Sequence, residues 1–570
     1  MAMDQLNNWH WLDRYGKGYH AWVRETDGFA RPLGLVEARF DTDGRYFEGR
    51  ADVNPILTLG LSTHLSDRKL QEHILLAYTL LRLRHCLTRA KAELRTLGIE
   101  PWFTVRTLVS AKDAIEDAAS ALQFLPANSQ IHIEEFHSHA QNVARLVDPT
   151  QSLSRAIVFP IESKGGTRRT LNILFAIAHQ VVDGLSCMSW MFDFVRIMNL
   201  PTAQIQQGIE SAVSSTDSVR SLLPPAQEDL YAPVASTKAR DRWFWAITII
   251  LRHVKKPMPE AFPNPLRRAV PLSKARPLPQ KYSSILDYSH TPPLNTFFAA
   301  AELSQAASQR LFRLCREAGA SIGAGGFVLV AMVMMALHER KYPDEPAEIS
   351  RPFIGSFPLN PRPFINTKCL DSVMLAFSEG IVLPFLPANL DLEKRFKLLV
   401  RQASRQLSTY QKRVRSLSDN DAKAYMGIRG AGRLIASNYI DGVEKLRDLL
   451  PAHLQHVMPS PQGEFQVPIW KLGRGTCGVS SIGKIDWSGA RFDLDADPGE
   501  EVIASTEGFR MGVRVRDYEF LVGISSDNDI INASVSFDGN YIDQEQGHTW
   551  AEAIESLLEP TSEAALKYRL

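Results

Sequence analysis

The chain has 570 residues, 45% of them hydrophobic and 22% charged, a balance that supplies a sizeable core and excludes wholesale disorder. Lysine and arginine number 64 against 63 aspartates and glutamates, a formal charge of +1, so no global field points to nucleic acid or another acidic polymer. Five cysteines, Cys86, Cys187, Cys315, Cys369 and Cys477, are scattered without CxxC spacing, which argues against a disulfide framework and a structural zinc site.

The N-terminal MAMDQLNNWHWLDRYGKGYH lacks the charged-then-apolar order of a secretory leader. Residues 65–94 carry Leu70, Ile74, Leu75, Tyr78, Leu81 and Cys86 mostly at three- and four-residue steps, which predicts a helix. Strands are predicted over 102–109 and 130–135. The run LNILFAIA at 171–178 is almost continuously apolar and suits a strand covered on both faces. HIEEFHSH at 132–139 collects three histidines and two glutamates, but His132 and Glu134 share a strand face while His137 and His139 fall beyond it. A solvated loop is therefore expected there, with no metal. GTRRT at 166–170 reads as a hairpin tip.

Composition changes near residue 221, and twelve of the 33 prolines lie between 221 and 293. Proline breaks helices and cannot donate to a ladder, so an extended crossover is expected. Within it, DRWFWAITIILRHVKK at 241–256 reads as an apolar helix, packed on the domain seam or else serving as a surface-membrane anchor or a substrate lid. Eleven lysines and arginines against two acidic residues over 238–281 read as a solvated basic linker. Beyond it come helices at 304–318 and 321–338, the latter with Ser321 as N-cap. Its longest uncharged apolar run, 323–337, is short of the roughly 18–20 residues of a membrane span. Strands follow at 353–359 and 373–383, a charged helix at 391–417, and strands at 478–485, 512–515, 519–524 and 531–537. A helix at 544–558 closes the pattern. This is an α/β chain in two similar halves, residues 1–220 and 296–570, joined by the proline-rich crossover 221–295. A soluble, intracellular protein is expected. GxGxxG and GxxxxGK[ST] do not occur between a strand and a helix, so nucleotide binding is not supported.

One segment carries a recognisable chemistry. In LNILFAIAHQVVDGLSCMSW a buried strand ends at His179, a turn holds Asp183 and Gly184, and a helix begins. Strand ends and the loops after them are where reactive groups are displayed. Gly184 allows a positive φ or a close backbone approach.

AHQVVDG, 178–184, resembles the HxxxDG signature of the chloramphenicol-acetyltransferase-like superfamily, which includes plant-type acyltransferases, stand-alone fungal acetyltransferases and peptide-synthetase condensation domains. SFPLNPRPF at 356–364 resembles the Asn-x-Arg segment of the other half, here Asn360 and Arg362. GVSSIGKID at 478–486 and INASVSFDGNYID at 531–543 are similar to the C-terminal part of the stand-alone fungal members. DFGWG of the plant branch is absent and Ala178 stands where condensation domains have a first histidine; a donor that arrives separately, with no appended carrier or adenylation segment, is expected.

The resemblance implies two chloramphenicol-acetyltransferase-like subdomains with an active-site channel between them. It implies His179 as general base, Asp183 and Arg362 as a structural pair, no covalent acyl-enzyme, and no permanently bound cofactor. Acyl-CoA, most commonly acetyl-CoA, would be the co-substrate, and a hydroxyl or amine of a small apolar natural product the acceptor. Ser480 or Ser481 is the candidate oxyanion donor. A monomer in the cytoplasm is expected. The alternative on the same fold is a carrier-protein-dependent condensation or release enzyme, or a cyclase, which would take its donor from an acyl carrier protein.

Overall fold

In the computed structural model, which describes residues 18–95, 100–127, 131–230, 237–254, 258–289, 294–345, 351–362, 371–378, 380–415, 442–456, 475–499 and 501–560, the chain forms a mixed α/β fold around two six-stranded sheets. Strands β1 (Val23–Glu25) and β2 (Gly28–Pro32) lead into helix α1 (Leu35–Tyr46). Glu37 organises its first turn. One of its oxygens accepts from the Gly34 backbone N–H at 2.6 Å, and the carboxylate takes both arms of the buried Arg31 guanidinium at 2.7 Å. Next come β3 (Ile56–Thr63) and α2 (Asp67–Arg84). The helix expected to reach residue 94 ends at Arg84, because His85 takes a non-helical backbone and 91–95 find a ladder partner. Strands β4 (Lys91–Arg95) and β5 (Glu100–Arg106) complete a four-stranded sheet with β1 and β2.

After β6 (Leu122–Phe124), the strand expected at 130–135 is instead helix α3 (Ile133–Ala140), residue 130 lying outside the described residues. Phe136, His137 and Ala140 recur at helical spacing on its buried side, and that periodicity wins over the short apolar alternation. His137 Nε2 lies 2.9 Å from the Asn54 carbonyl and His139 Nδ1 lies 2.6 Å from the Tyr288 hydroxyl. Neither is in a solvated loop, and burial pushes His137 down to about 4. Among the described residues no cluster of histidine, cysteine or acidic side chains could hold a metal ion.

Strands β7 (Ser154–Val158), β8 (Glu162–Gly165) and β9 (Arg168–Ile177) follow, with Gly165 and Gly166 at positive φ in the tip between the last two. Strand β9 lies between β3 and β7 in the first large sheet, which explains its unbroken apolar run. Helix α4 (Gly184–Met198) leaves the motif turn. Within the crossover, α5 (Lys238–Val254) buries Trp245 and exposes Trp243 and Ile250; residues 255 and 256 lie outside the described residues. Part of the linker's basic charge is answered, Arg268 and Arg276 by Asp543 and Lys281 by Glu135.

The second large sheet uses β10 (Thr296–Glu302), β11 (Phe353–Ser356), β14 (Ile381–Leu383), β15 (Cys477–Lys484), β17 (Phe520–Asp527) and β18 (Ile530–Asp538), with the short pair β12 (Pro358–Leu359) and β13 (Ala376–Phe377) beside it. Helices α6 (Gln305–Ala318), α7 (Ile322–Lys341), α8 (Leu392–Arg415) and α9 (Gln544–Ser556) cover it. Ser304 and Ser321 cap the first two through their side chains, and Gly319 at φ +66° ends α6. Helix α7 is long and apolar enough to cross a membrane by length and composition, yet most of it is buried as the central core helix of this half.

One strand departs from the division of the chain at 296. Strand β16 (Val502–Arg510) pairs antiparallel with β3 and so becomes the edge of the first large sheet. The strand predicted over 512–515 is instead a strap that runs beside residues 51–54, through the bridge of Val53 to Val513 and backbone hydrogen bonds between Ala51 and Arg514, Asn54 and Gly512, and Arg514 and Asp52. The pattern hides β16 because an irregularity between Thr506 and Gly508 breaks its alternation. The strap's Arg514 is fully buried and donates to the carbonyls of Glu48, Ala140 and Ala144 at 2.8, 2.7 and 3.2 Å. Burial, ahead of the nearby Arg145 charge, pushes it down to about 10. Replacing Arg514 by Ala leaves three carbonyls without their donor and is expected to destabilise the protein by about 3 kcal/mol, to be read from urea unfolding against wild type.

Candidate active site

The motif turn is built from short-range bonds. Ala178 donates to Leu153 at 2.9 Å, and the Val181 N–H returns to Ala178 at 3.1 Å. The His179 ring folds back so that Nδ1 lies 2.6 Å from the Val182 carbonyl. A carbonyl can only accept, so Nδ1 carries the proton and the lone pair resides on Nε2. Among the described residues Nε2 has no hydrogen-bond partner. Phe40 of α1 stacks on the imidazole, with centroids 3.9 Å apart and planes 7° from parallel. Burial, the largest influence, pushes His179 below the ordinary 6.5, and the positive Arg516 acts in the same sense. The ring is therefore neutral, fixed in one tautomer and fixed in orientation.

Asp183 is the N-cap of α4. Its Oδ1 accepts from the Ser186 N–H and its Oδ2 from the Met374 N–H, both at 2.9 Å. Oδ2 also pairs with Arg362 Nη1 at 2.9 Å, with both side chains nearly sealed from solvent. Arg362 Nη2 donates to Ser186 Oγ and to the Ser372 carbonyl, each at 2.9 Å, and Ser186 Oγ donates to that same carbonyl at 2.8 Å. The carboxylate is thus occupied by structural donors. Asn360 is exposed, and its Oδ1 accepts from the Arg362 backbone N–H at 3.1 Å and from Nη1 at 3.4 Å, which aims the guanidinium. Residues 363 and 364 of that segment lie outside the described residues.

Gly184 does not take a positive φ; it is the first residue of α4. A methyl group there would lie 3.6 Å from Ile482 Cδ1, an ordinary contact, so the backbone conformation does not demand glycine. Ile482 belongs to β15 and brings the end of that strand onto the motif. The two serine candidates face opposite ways. Ser481 follows Val479 by two residues on the side of the second core, and its Oγ lies near the first turn of α7 at Gly323. Ser480 points to the other face, half-buried opposite Gly523 and without a hydrogen-bond partner among the described residues.

Several contributors carry no motif. Helix α1 supplies Phe40, and its Asp41 accepts from Gln180 Nε2 at 3.1 Å, tying the helix to the motif turn. Its Asp43 pairs with Arg516, which also takes Glu519 at 3.2 Å. The signal for α1 is faint: Val36 and Phe40, and Asp41 and Arg45, sit four apart, but Asp41, Thr42, Asp43 and Gly44 are poor helix formers. A second missed element is the segment 371–374. His85 Nδ1 lies 2.5 Å from Asp371 and its Nε2 3.3 Å from Asp193, while the Trp190 indole donates to Asp371 at 3.3 Å. Burial opposes a charge on His85, but its bonds to Asp193 and Asp371 outweigh it and raise the imidazole above its ordinary value.

Among solved structures the chain is similar to TRI3 trichothecene 15-O-acetyltransferase from Fusarium sporotrichioides, at 12% identity over 97% of this chain and 98% of that one, with a TM-score of 0.62. It is also similar to the first condensation domain of the calcium-dependent antibiotic synthetase, at 11% identity over 94% and 96%, with a TM-score of 0.50. The fold is chloramphenicol-acetyltransferase-like. No protein-family profile and no curated sequence matches the chain. In this fold the histidine turn follows a strand of the first large sheet, and its clamp comes from Asn360, Arg362 and residues 371–374.

Removing one partner of the buried pair leaves the other charge uncompensated, so Arg362→Ala is expected to lower stability by about 3–5 kcal/mol. Arg362→Lys should recover little of that loss, since one ammonium cannot reach Asp183, Ser186 and Ser372 in the same fork; thermal or urea unfolding reads both. His85 adds a pH dependence. Its folded-state value is raised, so its contribution is full below the unfolded value and is lost as pH rises through the folded one. Wild-type unfolding free energy should therefore fall relative to His85→Gln as pH rises from the ordinary histidine value of 6.5 through the raised folded one.

Proposed function

We propose that this chain is an acyltransferase that moves an acyl group, acetyl in the simplest case, from acyl-CoA to a hydroxyl or amine of a small apolar acceptor. The observation that carries the reading is His179: a neutral ring with its tautomer set by the Val182 carbonyl, one face covered by Phe40, and Nε2 without a partner among the described residues. Nε2 takes the proton of the acceptor as its oxygen or nitrogen attacks the thioester carbonyl. The imidazolium returns that proton to the departing thiolate as the tetrahedral adduct collapses. No bond from enzyme to acyl group is needed. Ser480, on the face of β15 that turns Ile482 toward the motif, is the better placed of the two serines to donate to the oxyanion. Asp183 and Arg362 hold the turn and do not exchange protons with the substrate. The likeness of the fold to an O-acetyltransferase supports this reading.

A carrier-protein-dependent condensation or release enzyme, or a cyclase, is the second reading, supported by the likeness to a condensation domain and weakened by Ala178 before the histidine. A thermal-shift titration separates the two. A CoA thioester at about 100 times its Kd adds about 2.7 kcal/mol to the native state, whereas no shift with CoA, acetyl-CoA or longer acyl-CoAs points to a carrier-bound donor. With a competent donor and acceptor, His179→Ala is expected to lower kcat/KM by about 10²–10⁴-fold with the fold intact; a loss below about tenfold overturns the general base. The acidic limb of kcat/KM should lie below the ordinary histidine value of 6.5, because His179 must lose its proton to act and burial already favours that.

A further inference from the structure

Helix α1 presents one cation that the rest of the protein does not answer. Arg39 is half-buried one residue before Phe40 and makes no hydrogen bond or ion pair with any described residue. Its Nε is sealed from solvent without an acceptor, while its two terminal nitrogens are not sealed. The guanidinium lies over the ring of Phe377, Cζ 4.6 Å from the centroid. That ring is 6.4 Å from Phe40, which in turn stacks on His179. The other arginines around it are engaged: Arg516 by Asp43 and Glu519, Arg45 by Asp41, and Arg362 by Asp183.

The sealed Nε is out of a ligand's reach, but the two terminal nitrogens are open and have no acceptor among the described residues, so they are the donors a ligand can meet. Burial, then the nearby Arg516 charge, pushes Arg39 down to about 10 against the opposing pull of Asp43 and Glu519, neither of which contacts it. Its neighbours are apolar on one side: Phe377, Phe40, and the partly buried Val36 and Leu375 packed with Phe40. A single planar fork over an aromatic face matches a carboxylate, which it can hold with two parallel bonds. A phosphate dianion would call for further donors, and among the described residues the nearby Arg516 is already paired.

We propose that Arg39 anchors a carboxylate carried by the acceptor, whose apolar body lies along Phe377 and Phe40 toward His179. The assignment of this ligand as the acceptor rests on the acyl-transfer reading; the carboxylate site itself does not. The test is calorimetric titration of the full-length protein with octanoate, with octanamide as its uncharged counterpart, and with CoA. Octanoate is expected to bind wild type at least about tenfold more tightly than octanamide, the range of a charge-assisted hydrogen-bonded pair. Arg39→Gln should remove that preference and leave octanamide and CoA affinities unchanged. Arg39→Lys, which keeps the charge without the fork, should restore only part of it, and it serves as the reading if Arg39→Gln melts well below wild type. Equal binding of octanoate and octanamide, no octanoate binding at all, or octanoate affinity unchanged by both substitutions overturns the proposal. Loss of CoA affinity in Arg39→Gln with octanoate unaffected also overturns it, and assigns the guanidinium to a donor phosphate. Failure of the general-base reading shows elsewhere, as undiminished turnover in His179→Ala, and does not move the octanoate comparison.

Discussion

The contact between Asp183 and Arg362 is the constraint on which the candidate site depends. A carboxylate at a helix N-cap is an ordinary device, worth about 1 kcal/mol. Here the same carboxylate also receives the Met374 N–H and a buried guanidinium from across the crossover. A local cap thereby becomes a long-range clamp. The turn between β9 and α4 must hold the His179 ring at hydrogen-bond distance from Val182, and it can do so only while α4 starts where Asp183 starts it. A catalytic aspartate would need a free oxygen aimed at the imidazole; this one has neither oxygen free. The motif's acidic residue therefore shapes the site, and the histidine is the member left with an open nitrogen among the described residues.

Around that clamp lie further contacts that join the two large sheets. Segment 371–374 is held from below by His85, Asp193 and Trp190 and gives its Ser372 carbonyl to Arg362. The strap after β16 plugs Arg514 into three carbonyls of the first half. Arg516 then reaches Asp43 on α1, the helix whose Phe40 covers the His179 ring. Position at His179 is thus set from four directions, each by polar groups with little exposure. Such arrangements are costly to assemble and costly to break at any one point, which favours a single geometry at the histidine.

How much of this was legible in the sequence follows from how local each signal is. The run 171–177 announced a strand covered on both faces, and His179, Asp183 and Gly184 came with it because their spacing is fixed within one turn. Arg362 and Asn360 were found by likeness to a short segment, whereas their bond pattern depends on Ser186 and Ser372, which have no pattern of their own. Strand β16 was missed because its irregular register breaks the alternation that marks a strand. Helix α3 was misread because four residues of apolar alternation at its start outweighed a buried face that only becomes visible over eight. Phe40, Arg39 and Arg516 could not be located at all: they lie more than 100 residues from the motif along the chain, and only the packing of α1 against the turn brings them there.

The placement of β16 also bears on how the chain reaches this state. Its partner β3 leaves the ribosome about 440 residues earlier, and translation at about 5–20 residues per second makes that an interval of roughly 20–90 s. Throughout it, one edge of the first sheet has unpaired backbone N–H and C=O groups, the condition under which strands find the wrong partner. The N-terminal half cannot finish as an independent unit and then wait. It is completed by a strand made about 440 residues later, so the two are coupled during biogenesis, and a nascent chain stalled before residue 502 presents an open sheet for chaperones to cover.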